Sequence, residues 1–258
     1  MLFYRITPRT LLNRAKNCYI VADRLVTTKP PVPHITMKNV ESPGTELFDK
    51  LPPEKQEKVF QAAVGEFASK GYKNASMNSL VKIAGISKGS LFQYFKTKRN
   101  LFDGVMGIAT HRVKLYLKRV RDDTQEMDFY DRLEHLLRSG FEFIDRHPLL
   151  ARIYFHLLQS AETPSGSEEI IQLRMQGNEF LADLIREGAV RGEFRTDMDI
   201  PRLAFLINAL LETLLRAYYT EFLASGLGLY RGNAAELDLW VATTLDFVRK
   251  GTENRERQ

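Results

Sequence analysis

The chain has 258 residues, 44% of them hydrophobic and 27% charged, enough for two modest domains with real cores. Its one cysteine, Cys18, excludes an intrachain disulfide and has no companion for a zinc site, and no apolar run nears the roughly 20 residues of a membrane span. The net charge of +5 is unevenly spread: residues 1–36 carry +5, residues 53–102 carry +6 and residues 103–258 carry −5. From Phe67 to Phe102 there is no acidic residue at all. That is either a solvated basic face or an electrostatic footprint suited to phosphate.

In chain order, residues 1–51 read as a disordered N-terminal extension. Residues 1–36 are Arg-rich, end in Lys29-Pro30-Pro31-Val32-Pro33, and show no periodicity that would bury a core. Met37 is an alternative first residue. From Pro52 the pattern is helix after helix. Pro53 suits a first helical turn, and Phe60, Ala63, Val64 and Phe67 form one apolar stripe that Gly71 stops. Further helices are predicted at about 99–121, 128–146, 148–160, 168–187, 200–223 and 233–250. No segment has a persuasive period of two, so the predicted fold is all-α. A three-helix head occupies 52–102, a larger helical domain 103–250, and a tail 251–258.

Within the head, Ser76 is placed to cap a short helix whose inward side is Leu80, Ile83 and Ala84. Gly85 supplies a left-handed turn, Ile86 plugs the angle, and Ser87 caps a second helix from Lys88 to Phe95. Leu91 and Phe95 anchor that helix inward. Lys88, Ser90, Phe92, Gln93 and Tyr94 remain wholly or partly outward. This is the layout of a helix-turn-helix, whose second helix offers its N-terminal residues to a major groove.

The run Ala84-Gly85-Ile86-Ser87-Lys88-Gly89-Ser90-Leu91-Phe92-Gln93-Tyr94-Phe95-Lys96-Thr97-Lys98-Arg99-Asn100-Leu101-Phe102 resembles the tetracycline-repressor (TetR) family of transcriptional regulators. The resemblance implies a regulator that binds double-stranded DNA, with no catalytic residues, metal or cofactor. It implies that Ser87, Lys88, Gly89, Phe92 and Tyr94 lie at the DNA surface and that Ser76 and Lys98 touch phosphate. Ser90 and Gln93 would meet base edges, Gln having the geometry for adenine. Phe92 stands where the family usually has tyrosine, so one hydroxyl contact to phosphate is lost.

The same resemblance implies a homodimer on an inverted-repeat operator, released by a small apolar effector, in the cytoplasm with the nucleoid and not in a membrane. The segment Pro201–Phe222 is apolar on more than one face, which suggests burial against both its own core and a partner. Leu210, Leu214, Trp240 and Leu245 are the expected dimer contacts. Tyr154 and His156 are the expected polar handles of an effector site among aromatic residues. An enzyme is the first competing reading. No His is preceded by Glu at three residues, and no His-Glu-x-x-His occurs. The second is a helix-turn-helix that binds protein or RNA.

Overall fold

Capping residues punctuate the chain where its helices begin. The computed structural model describes residues 44–160, 168–195 and 197–254, apart from the side chains of 156–160 and 168–170. Its helices are α1 (Glu46–Asp49), α2 (Pro53–Asn74), α3 (Met77–Ala84), α4 (Lys88–Phe95) and α5 (Lys98–Asp123). They continue with α6 (Phe129–Arg146), α7 (Pro148–Ser160), α8 (Glu168–Val190), α9 (Ile200–Tyr219) and α10 (Ala234–Thr252). Side chains of Ser76, Ser87, Thr97, Asp128, Asp199 and Asn233 each accept an N–H bond from the first turn of the helix they precede. Each such cap is worth about 1 kcal/mol. Gly71, with φ 70°, breaks α2 before its last turn. There is no strand among the described residues, only an isolated bridge between Phe194 and Glu253. The all-α prediction therefore holds.

Two apolar clusters form the interior. The head cluster joins Val59, Phe60, Ala63 and Phe67 of α2 to Leu80, Leu91, Phe95, Leu101 and Phe102. The body cluster packs α6, α8, α9 and α10 through Phe129, Leu137, Leu184, Ile207 and Val241. Helix α7 serves both. Its Leu150 and Ile153 enter the head, while Ala151 and Phe155 enter the body. In the body the fully buried Arg132 pairs with Glu187, tying α6 to α8.

Three details differ from the sequence reading. Residues 44–51, assigned there to the extension, carry α1, and Phe48 is wholly buried in the head. The C-terminal segment stays folded past residue 250: α10 reaches Thr252, and the Asn254 amide donates to the Glu193 carbonyl. Ile83, expected inward, is 65% exposed. Met77, Leu80, Val81 and Ala84 face the core and cluster on one arc of α3 at 100° per residue. Ile83 falls outside that arc, more than a quarter turn from its centre. Residues 1–43, including Cys18 and Met37, lie outside the described residues.

Candidate nucleic-acid interface

Helices α3 and α4 are held by their caps. The Ser76 hydroxyl accepts from the Ser79 amide at 3.4 Å, and Gly85 closes α3 in the left-handed region at φ 68°. The Ser87 hydroxyl accepts from the Ser90 amide at 2.9 Å and also lies 2.8 Å from the Ser90 hydroxyl. The letters Gly85-Ile86-Ser87-Lys88-Gly89 also spell a nucleophile elbow. That motif needs a strand before its serine. Here a helix precedes it, and the Ser87 hydroxyl is engaged in capping.

Leu91 and Phe95 are buried and fix α4 to the core, leaving Lys88, Gly89, Phe92 and Gln93 exposed. Ser90 and Tyr94 are half-buried, with the Tyr94 ring 5.8 Å from that of Phe48. First-turn amides of a helix lack an intrahelical acceptor and favour an anion. Gly89 stands there without a packing reason: an added Cβ would meet only the Ser87 hydroxyl, at 3.7 Å.

Lys98 turns partly inward. Its ammonium donates to the Lys73 carbonyl at 3.0 Å and sits 4.9 Å from the centre of the Tyr72 ring, joining α5 to the end of α2. Burial lowers its pKa, against the attraction of Glu66.

Sequence reasoning passed over Glu66. This carboxylate is buried and accepts from the Lys70 ammonium at 2.7 Å, the Ser76 amide at 2.8 Å and the Ser79 hydroxyl at 2.9 Å. Burial alone would raise its pKa, but these bonds outweigh it and the net shift is downward. The acid bordering the acid-free stretch is therefore paired inside the head and puts no exposed carboxylate beside the basic surface. The signal available in the sequence was a pair of serines, Ser76 and Ser79, at a helix start near a lone acid.

In the body, Tyr154 packs on the core cluster, where burial first and Glu212 second push its hydroxyl up to about 12. Nearby, Arg174 of α8 donates to Glu212 of α9 at 3.3 Å, and Asn208 donates to Asn178 at 2.8 Å. The His156 side chain lies outside the described residues. At the corner of α6 and α7, His147 is pushed down to about 4 by burial and then by Arg112 and Arg146, so it is uncharged near neutrality.

Of the expected dimer contacts, Leu214 is buried in its own protomer's core, and Leu210, Trp240 and Leu245 pack partly against that core. The exposed large apolar residues of these helices are Phe205 and Leu206 on α9 and Leu239 and Phe247 on α10. Among the described residues, no helix is long and apolar enough to cross a membrane, and no cluster of His, Cys, Asp or Glu could hold a metal ion.

A helix-turn-helix head on a larger helical body defines a DNA-binding regulator by class. Comparison with known proteins makes the class specific. The family described as bacterial regulatory proteins, tetR family, matches residues 59–105, and the tetracyclin repressor-like C-terminal domain matches residues 126–218. The transcriptional repressor KstR2 of Mycobacterium tuberculosis is 24% identical over 142 residues, which cover 55% of this chain and 70% of the relative. The regulator YhgD of Bacillus subtilis is 28% identical over 98 residues, 37% of this chain and about half (49%) of the relative's length. A TetR family regulator from Chloroflexus aurantiacus superposes with a TM-score of 0.65 at 25% identity, covering 82% of this chain and 99% of that one. The chain belongs to the TetR family of transcriptional regulators.

Proposed function

We propose that the chain is a dimeric repressor that grips an inverted-repeat operator with two copies of α4 and lets go when a small, largely apolar effector enters the body. Gly89 carries the reading. Glycine in a helix costs about 0.5–1 kcal/mol relative to alanine, and the protein's own packing does not require it here. Close approach of the α4 N-terminus to a phosphate backbone accounts for it. On this reading Lys88, Phe92, Gln93 and Tyr94 meet the groove and its rims, with Gln93 the principal reader of a base edge. Ser76, Ser87, Ser90 and Lys98 support that surface from α3, α4 and α5. Such a protein acts in the cytoplasm, on the nucleoid.

The relative KstR2 is named a repressor, which favours repression over activation. Release by an effector is supported by α7. The helix that carries Tyr154 also sends Leu150 and Ile153 into the head core. A ligand that moved α7 would reach the recognition helices, provided that it preferred the conformation with mis-spaced heads.

Gly89→Ala tests the reading. Thermal stability should rise slightly, while affinity for a duplex selected by the wild-type protein should fall about tenfold or more, roughly the 1.4 kcal/mol that a displaced helix end would forfeit. Unchanged affinity alongside raised stability would remove Gly89, and with it the closest contact, from the interface.

A further inference from the structure

The recognition helix has only eight residues, so caps satisfy much of its backbone. At its C-terminal end the Phe92 carbonyl accepts from the Lys96 amide at 2.8 Å, and the Phe95 carbonyl accepts from the Thr97 amide. The next two carbonyls, those of Gln93 and Tyr94, are served from far away in sequence. Thr45 donates its hydroxyl to the Gln93 carbonyl at 2.9 Å and its amide to the Tyr94 carbonyl at 2.8 Å. One residue thus holds two consecutive carbonyls of α4.

Thr45 is itself anchored. It precedes α1, whose Phe48 is wholly buried with its ring 4.7 Å from that of Phe95. The buried Gln56 of α2 donates its amide to the carbonyls of Phe48, Asp49 and Leu51 at 3.0–3.2 Å. Gln56 thereby fixes the α1 turn to the head. This brace lies upstream of residues 59–105, where the family match runs.

We propose that Thr45 and Phe48 are positioning residues for DNA reading: they set the angle at which α4 presents Gln93 to the groove. The inference rests on the DNA-binding reading of α4 given above. Base recognition depends on geometry held to fractions of an ångström, whereas phosphate contacts tolerate small rotations. Loosening the brace should therefore reduce discrimination between sequences more than it reduces general attraction to DNA.

The test compares the full chain with Thr45→Val, which keeps shape but loses the hydroxyl donor, and with Thr45→Ser, which restores it. Each protein is titrated against the duplex most enriched by the wild type from a random pool, and against a scrambled duplex of the same length. Helical circular dichroism and particle mass are recorded in parallel. The expected result for Thr45→Val is a fall of about two- to tenfold in the ratio of the two affinities, the range for one lost hydrogen bond. Helicity and mass should stay unchanged, and Thr45→Ser should recover the ratio. Phe48→Leu should move the ratio the same way. An unaltered ratio, or equal losses on both duplexes, overturns the inference while leaving the DNA reading intact. A wild type that distinguishes no duplex sinks the DNA reading, and the inference with it.

Discussion

Aspartate at both Leu206 and Phe247 should halve the mass of the particle and remove tight binding to a two-half-site duplex. These side chains are 63% and 71% exposed on the protomer, and Phe205 and Leu239 are also exposed on the same two helices. Around them the outer faces carry the small exposed residues Ala209 and Thr213 on α9 and Ala242 and Thr243 on α10. Large residues flanking small ones let helices approach closely. In the proposed dimer a two-fold axis would bury each patch against its copy, so every apolar side chain counts twice. Full burial of one such side chain is worth about 1.5–3 kcal/mol, and a buried unpaired carboxylate costs several. Because neither residue supports its own protomer's core, folding should change by no more than about 0.5 kcal/mol. Light scattering with circular dichroism separates the outcomes. A dimeric mass with intact helicity would assign these faces another role.

Glu66→Ala should destabilise the head by about 3 kcal/mol, through loss of charge-assisted bonds at a buried site. It leaves the Ser76 amide, the Ser79 hydroxyl and the Lys70 ammonium without their shared acceptor. The start of α3 would fray, and DNA binding would decline with it. The pH dependence has a definite sign. Burial acts to raise the pKa, the bonds lower it further than that, and the folded value lies below the unfolded one. The stabilisation is fully present above the ordinary glutamate range and is lost as pH falls through the folded value. Urea unfolding should show the gap between wild type and variant widest near neutrality and narrowing as pH falls through the folded value. A gap that persists in acid would show that side-chain packing, not ionisation, is what the alanine removes.

Local chemistry was legible in the sequence, and distant partnerships were not. Ser76, Gly85 and Ser87 act within a few residues of themselves, so the bounds of α3 and α4 follow from residue type. Ile83 escaped because a three-residue spacing from Leu80 fits a stripe centred on either side of it. Only the positions of Met77 and Val81 decide which. Thr45 was invisible because its acceptors lie 48 and 49 positions away, and one phenylalanine in eight residues makes no period. Charge counting found the basic stretch but could not tell that Glu66 faces inward. On α9, leucines cover both sides, so periodicity pointed to two apolar faces without saying that Leu214 lies on the internal one. The Arg174–Glu212 pair spans two helices and leaves no mark in either alone.

In the proposed regulator the exposed face of α4 meets double-stranded DNA. Titrating the purified chain against duplex fragments over a range of salt concentrations tests it most directly. Log affinity should fall linearly as log salt rises, with a slope set by the phosphates neutralised, and Gly89→Ala should weaken the binding. Affinity indifferent to salt, or equal affinity for single-stranded RNA of the same length, would contradict it.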